Sequence, residues 1–219
     1  MKKIFSIAFS LFLYGSLFAG KGLVITQKYN DPATKGESIT VTWYVTETQC
    51  KLKMSVADDK INTNTFFIPD VAGAKLMMYS DGTPPAGGKR TFYTMPVQSI
   101  KSNIEVSRVS VSKTGSTKTI GGFVCEQLII KTNRSTTEMW VTKDFKADLY
   151  KFYPFFQSSY ELLGLNQESI QGVPLESVTK DNGGAIINSY ELVSASNSEL
   201  SNDAFVVPSE YNSADASAK

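Results

Sequence analysis

The segment ESITVTWYVTETQCKLKMSV, residues 37–56, decides the fold class of this chain. Its apolar side chains fall at every second position, interrupted by the short polar link at residues 47–49. A period of two is typical of a strand with one buried face, and a short polar link between two such strands predicts an antiparallel hairpin. The alternating apolar residues are Ile39, Val41, Trp43, Val45, Cys50, Leu52, Met54 and Val56.

Similar runs continue through most of the chain and predict further strands at 64–69, 74–80, 90–95, 104–113, 117–132, 135–143, 173–180 and 184–196. Gly115-Ser116 predicts a turn between two of them, and Asn182-Gly183 predicts a tight hairpin. Gly121 and Gly122 fall inside a run and predict a bend or bulge there. Neither an internal repeat nor a linker divides the sequence. The predicted fold class is mainly β (α+β): a strongly curved antiparallel sheet of roughly ten strands, or incomplete β-barrel.

One helical region is predicted late in the chain, around the aromatic stretch LYKFYPFFQSSY at 149–160. Pro154 has no N–H to donate, so we expect two short helices or one kinked helix, inserted as a lid over the sheet. Tyr150, Tyr153 and Phe155 lie off the main stripe and require a second apolar neighbour: the curved sheet, a loop, a ligand or a partner. The main stripe, spaced by three and four residues, is Phe145, Leu149, Phe152, Phe156, Tyr160 and Leu163.

The N-terminus has the layout of a secretory signal peptide, with Lys2 and Lys3 before an apolar run that ends near Ala19. We expect cleavage after Ala19, a single curved-sheet domain over 20–211, and a disordered tail at 212–219. The expected location is periplasmic or extracellular, without lipidation or integration into the membrane. Because removal of the two lysines changes the formal charge from +1 to about −1, the net charge gives no electrostatic footprint for nucleic acid or for anionic lipid.

Residue chemistry excludes several functional classes. The chain has no histidine, so His-based triads and nearly all catalytic zinc sites are excluded. No phosphate-binding loop or other catalytic motif is present, and we expect no metal and no cofactor. The two cysteines, Cys50 and Cys125, fall on the apolar phase of predicted strands. In an exported chain they form either a long-range disulfide or two buried free thiols.

Several runs resemble an uncharacterised, secreted bacterial family of unknown function within the lipoprotein-carrier (LolA/LolB-like) group. They are TKTIGGFVCEQLIIKT at 117–132, STTEMWVTKDF at 135–145, GVPLESVTKDNGG at 172–184, and an ending with Phe205, Val207 and Pro208. The resemblance covers residues 23–211 and implies an incomplete barrel whose apolar concave face is covered by a helical lid. It does not imply lipoprotein transport, because one fold serves many functions.

The leading functional hypothesis is an exported, non-enzymatic protein that binds a lipid or another hydrophobic ligand in an apolar cavity between sheet and helix. The competing interpretation assigns the same side chains to ordinary core packing. A second class is an interaction or sensor protein of the cell envelope, which predicts an exposed apolar patch. A third is a histidine-free hydrolase that uses serine or aspartate. The candidate cavity residues are Trp43, Val45, Leu52, Met54, Leu149, Phe152, Phe156 and Tyr160.

Overall fold

The computed structural model describes residues 20–34, 38–57, 62–82, 88–97, 109–145, 149, 151–152, 155–156 and 171–214. Within these ranges, twelve strands and a short 3-10 helix, η1 (Asn202–Phe205), are found. The strands are β1 (Gly20–Asn30), β2 (Ser38–Val45), β3 (Cys50–Ala57), β4 (Asn62–Asp70), β5 (Lys75–Ser80), β6 (Thr91–Pro96), β7 (Ser110–Ile120), β8 (Phe123–Lys131), β9 (Ser135–Thr142), β10 (Val173–Asp181), β11 (Ile186–Leu200) and β12 (Asn212–Ala214).

All twelve strands belong to one sheet in the order β12-β6-β5-β4-β3-β2-β1-β11-β10-β9-β8-β7. The mainly β fold is therefore confirmed as a large, open, curved sheet. The pairing of β12 with β6 is parallel, so the sheet is mixed, whereas we expected it to be antiparallel throughout. The central strand β1 was missing from the predicted strands: its apolar residues Leu23, Val24 and Ile25 are consecutive and the next buried position is the polar Gln27. It joins the two halves by pairing with β2 and β11.

The hairpin at residues 37–56 forms as predicted. Val45 pairs with Cys50 and Trp43 pairs with Leu52, so the alternating apolar side chains of β2 and β3 share one face. We call the face that carries Trp43 the inner face and the opposite face the outer face.

The turn between β7 and β8 lies at Gly121-Gly122, where both glycines have positive φ (58° and 90°). A two-residue turn of this kind matches the twist of the strands it joins. The turn predicted at Gly115-Ser116 is wrong, since β7 continues through these residues with a register shift between Lys113 and Thr117. Gly115, with φ 80°, lies at this bulge. Turn and bulge were exchanged because both favour glycine.

The sheet curls at β11. In the described pairing, β10 follows β11 only from Ile186 to Tyr190, whereas β1 follows it to Leu200. Where β10 diverges, the buried side chain of Gln27 donates from Nε2 to the carbonyl oxygen of Leu175 at 2.9 Å. The β7–β8 turn also reaches β11, because a Cβ on Gly121 would lie 2.6 Å from a methyl carbon of Leu192. Three strand spacings, roughly 14 Å in a flat sheet, separate β8 from β11, so this contact requires curvature.

The main core cluster draws on both halves of the curved sheet and on the aromatic segment. From β1–β3 come Leu23, Ile25, Val45 and Cys50; from β7, β8 and β10 come Ile120, Cys125, Val173 and Leu175; from the aromatic segment come Phe145, Leu149 and Phe152.

The aromatic segment crosses the inner face. Phe145 packs on Phe123 of β8, with ring centroids 4.6 Å apart. Phe155 packs with Leu76 of β5, eight strands away in the order. Ten residues span at most about 35 Å when extended, and eight flat spacings would require roughly 38 Å. This crossing agrees with the curvature that the approach of Gly121 to Leu192 requires.

The α-helix predicted over this segment is not found at its described residues. There the chain forms turns, with i→i+3 bonds from Phe152 N to Leu149 O (3.0 Å) and from Phe155 N to Phe152 O (2.9 Å). Pro154 cannot donate the bond that would continue a helix, and this local effect outweighs the helical spacing of the aromatics. The rest of the predicted lid, including Tyr160, lies outside the described residues.

The C-terminal segment covers the outer face of β4–β6. Tyr211 packs on Ile68 and Tyr79, and its hydroxyl donates to the carbonyl oxygen of Ser80 at 3.0 Å. The tail predicted to be disordered from residue 212 instead begins with β12, since Asn212–Ala214 pair with β6. These three residues form a strand because Tyr211 holds the chain beside the edge strand β6, which their composition alone does not indicate. Residues 215–219 lie outside the described residues.

Candidate functional site

A single row of side chains runs across the inner face through seven neighbouring strands. Each member is the register partner of the next, so all lie on one face in line. No member carries a formal charge at neutral pH. From β11 to β6 the row is Ala195, Ile25, Trp43, Leu52, Phe67, Met78 and Tyr93. We call these residues the inner row.

Exposure rises along the inner row. Ile25 is 0% exposed, the members from Trp43 to Met78 are half-buried, and Tyr93 is 44% exposed. The half-exposed part, from Trp43 to Tyr93, spans four strand spacings, or roughly 19 Å. It is therefore a linear apolar strip that opens toward the β6 side of the sheet.

The rows on either side of the inner row differ in character. One side is closed core, formed by Leu23, Val45 and Cys50, each at most 2% exposed. On the other side the partners of Met54 and of its strand neighbours become polar, with Thr65 paired to Ser80. The inner row is thus the boundary between sealed core and a partly polar surface.

The aromatic segment closes the inner row at its buried end. The ring of Phe156 packs edge-on against Trp43, with centroids 5.1 Å apart. Phe155 is buried with Leu76 and Val97, and half-buried Met95 packs against them. At its described residues the segment thus covers Trp43, and Phe67 of the inner row packs against the same cluster as Phe155.

The sequence-predicted cavity residues divide into two groups. Val45, Leu149 and Phe152 are fully enclosed in the main core cluster and have no accessible surface to offer a ligand. Trp43, Leu52, Met54 and Phe156 are half-buried, and the first two belong to the inner row. Tyr160 lies outside the described residues.

Sequence reasoning missed the distal members of the inner row, Phe67, Met78 and Tyr93. All three lie on predicted strands, but alternation within FFIP and LMMYS does not show which of two neighbouring apolar residues points inward. The register of β3 with β4 and of β4 with β5 decides this. Carrying the hairpin registers forward from Trp43 would have located them.

Both cysteines are free thiols and lie in the main core cluster. Of the two alternatives that the sequence leaves open, this structure therefore has the free thiols and not the disulfide. Burial raises the pKa of the Cys50 thiol well above its ordinary value, and the nearby Lys151 only partly offsets this. Burial also raises the pKa of Cys125. Because the thiolate is the reactive form, both side chains behave as apolar packing groups.

A cleft of about 380 Å³, lined mainly by polar residues, lies at the C-terminal end of β1 and the start of β11. Its carboxylates have structural partners: Asp31 Oδ1 accepts the N–H of Ala33 at 2.8 Å, and Glu191 Oε1 accepts from Asn30 at 3.4 Å. Among the described residues, no three cysteine or carboxylate side chains are close enough together to hold a metal ion. Nor does any helix in the described ranges have the length and apolar character needed to span a membrane.

Comparison with known families identifies the chain. Residues 25–211 match the profile of the Domain of unknown function (DUF4412). The chain belongs to this family. No curated protein matches it.

Two solved structures share the fold of this DUF4412 domain. An uncharacterized conserved protein from Thermus thermophilus superposes with a TM-score of 0.53 at 9% identity, over 91% of this chain and 92% of that one. The complex structure of Pseudomonas aeruginosa MucA/MucB gives a TM-score of 0.50 at 11% identity, over 89% of this chain and 58% of that one. At such identities the likeness shows the fold alone, and the expected LolA-like fold is confirmed.

A third structure, that of PNGF-II, gives a TM-score of 0.49 at 13% identity. The present chain covers 90% of its own length but only 31% of the PNGF-II chain.

Proposed function

We propose that this DUF4412 protein is an exported, non-enzymatic binding protein that holds a linear hydrophobic ligand, such as a lipid acyl chain, along the inner row. The observation that carries the proposal is the continuous, uncharged row from Trp43 to Tyr93, whose members from Trp43 to Met78 are half-buried and whose last member, Tyr93, is 44% exposed. A core row would be closed along its length, and an ordinary surface row would alternate with charge.

The side chains around the row suit a flexible ligand. Met78 lies in the row, Met54 lies one row away on β3, and Met95 is the β6 partner of Leu76 on the same face. Methionine is unbranched and polarisable, so it adapts to irregular apolar shapes. About ten buried methylenes would contribute roughly 8 kcal/mol, from which the ordering cost of association is subtracted. The strip is long enough for a useful affinity.

The experiment has two stages. The protein is purified under native conditions and extracted with organic solvent, and the extract is searched for a stoichiometric lipid by mass spectrometry. A long-chain fatty acid is then titrated into delipidated protein while Trp43 emission is followed. The chain has two tryptophans, so Trp140→Phe makes Trp43 the sole reporter.

Two adjacent methionines provide a matched control. Met78 lies in the inner row, whereas Met77 packs in the outer-face cluster with Tyr79. We expect Met78→Gln to weaken fatty-acid binding about tenfold or more and Met77→Gln to leave it unchanged, since only the first places an amide in the strip. A lipid-free protein with no Trp43 response would refute the proposal, as would equal effects of the two variants.

A second candidate function is supported by the open end of the row. Tyr93 is 44% exposed and lies on β6, next to the sheet edge formed by the three-residue β12. An apolar segment of a protein partner could occupy the same strip, and one structure that shares the fold is a MucA/MucB complex. In that case a polypeptide, not a lipid, would co-purify, and Met78→Gln would release it.

A further inference from the structure

The outer face of β3 carries two neighbouring lysines. Lys51 and Lys53 are two residues apart, so both project to the face opposite the inner row. Lys51 pairs in register with Tyr44, and Lys53 pairs with Thr42 on one side and Phe66 on the other. All five side chains are half-buried.

Two aromatic rings hold the ammonium group of Lys51 in place. Its Nζ lies 4.9 Å from the ring centroid of Phe66 and 5.9 Å from that of Tyr44. The Phe66 ring in turn stacks on Tyr79 at 4.7 Å. Cation–π contacts of this kind fix the position of a flexible side chain. A ligand that binds Lys51 therefore loses little free energy in ordering it.

Neither lysine has an acidic partner among the described residues, and the same holds for Lys151, whose Nζ lies 4.9 Å from the ring centroid of Phe152. Lys118 also lies over a ring, that of Trp140, but it forms an ion pair with Glu176 at 2.6 Å. In the described part of the chain, the ion pairs involve Arg90, Lys118, Lys143 and Lys180, and none involves Lys51 or Lys53. Burial, and then the nearby charge of Lys53, lower the pKa of Lys51.

We propose that Lys51 and Lys53 form a binding site for a phosphate group on the outer face, with the hydroxyl of Tyr44 as an additional donor. The Thr42 hydroxyl is already hydrogen-bonded to that of Thr26 at 3.2 Å. Along a strand, the Cα atoms of such a pair lie roughly 7 Å apart, so one group with several acceptor oxygens can bridge the two ammonium groups. Charge-assisted hydrogen bonds to such a group are about twice as strong as neutral ones.

A phosphate also removes an unfavourable feature of the free protein. The two like charges repel each other across a half-buried surface where no carboxylate among the described residues compensates them. A divalent anion reverses this repulsion, and its binding is favoured by the same partial burial that disfavours the free cations. Because the site lies on the outer face, it is independent of the hydrophobic function proposed above.

The test uses the whole protein and inorganic phosphate. Phosphate is titrated into ¹⁵N-labelled protein, with sodium chloride at matched ionic strength as the reference. We expect saturable shifts centred on the backbone amides of residues 42–44 and 51–53. Lys51→Gln with Lys53→Gln should weaken binding at least tenfold, about fivefold for each cation removed. Lys51→Arg with Lys53→Arg retains both charges and should retain binding.

Lys118→Gln serves as the matched control, because this lysine also lies over an aromatic ring but has a carboxylate partner. It should leave phosphate binding unchanged. Shifts spread evenly over surface lysines, or binding that survives in the double glutamine variant, would mean an adventitious ion only and would overturn the proposal. If the double glutamine variant does not fold, Lys53→Gln alone provides the same comparison.

A second arm identifies the source of the phosphate. Vesicles of phosphatidylglycerol and of phosphatidylcholine are sedimented with the protein. Retention on phosphatidylglycerol alone, lost in the double glutamine variant, assigns the site to an anionic lipid headgroup. Binding of free phosphate without retention assigns it to a soluble phosphate compound. If neither free phosphate nor phosphatidylglycerol gives a response that depends on the lysine pair, the site is refuted, whatever the lipid-extraction experiment finds.

Discussion

Truncation of Phe152 tests whether the aromatic segment is part of the core or a loosely held cover. Phe152 is 0% exposed and belongs to the main core cluster. A buried phenylalanine removes about 150–250 Å² from water, which at about 25 cal/mol per Å² corresponds to roughly 4–6 kcal/mol. Alanine retains part of this, so we expect Phe152→Ala to lower the free energy of unfolding by about 3–5 kcal/mol.

The assay is urea denaturation followed by far-UV circular dichroism. Domains are commonly stable by about 5–15 kcal/mol, so the loss should shift the midpoint strongly while the slope stays the same. Phe156→Ala is the internal control, because Phe156 is only half-buried against Trp43. We expect about half the effect there. A cost below about 1 kcal/mol at Phe152, or a larger cost at Phe156, would refute the reasoning that the segment seals the core.

Three further predictions concern backbone, titration and thiol chemistry. Gly122→Ala should destabilise more than Gly121→Ala in the same urea assay: φ is 90° at Gly122, outside the left-handed region of about 50–70° that contains Gly121 at 58°, and the Leu192 methyl that a Cβ on Gly121 would meet belongs to a flexible side chain. Equal costs would contradict this. Burial raises the pKa of Tyr190 to about 12 from 10.0, so its contribution to stability is complete below pH 10 and is lost as pH rises toward 12. Phenolate absorbance and pH-dependent unfolding should show this, and Tyr190→Phe should reduce the slope. Cys50 and Cys125 should resist a thiol reagent in the native protein and yield two reactive thiols on unfolding; a single thiol or none would contradict their free state.

The strands and their alternation could be predicted because the signal is local. The hairpin of β2 and β3 forms with the predicted faces. The tight turn predicted at Asn182-Gly183 is instead a four-residue loop, 182–185, in which the positive φ (86°) falls on Gly184. Errors arose where one residue type serves two purposes. Glycine permits both the bulge at Gly115 and the turn at Gly121, and sequence alone does not rank the two positions.

The candidate site was only partly accessible from the sequence. Of the residues predicted to line a cavity, Trp43 and Leu52 lie in the inner row, whereas Val45 and Phe152 are buried in the main core cluster. The sequence pattern of an apolar residue that faces inward is the same whether another aromatic side chain or solvent covers it. The difference depends on which side chains the aromatic segment covers, and among the described residues Phe156 covers Trp43.

The sequence by itself determined that this is a mainly β chain without histidine chemistry, because both conclusions depend on residue identity and on a period of two. The tertiary structure alone decided that seven strands align an uncharged row from Ala195 to Tyr93, and that Lys51 and Lys53 lie behind it with no acidic partner among the described residues. Cross-strand register and curvature set these distances. The registers from β2 to β6 come from successive hairpins, whereas the pairing of β1 with β11 and the curvature join residues far apart in the chain, which no local pattern encodes.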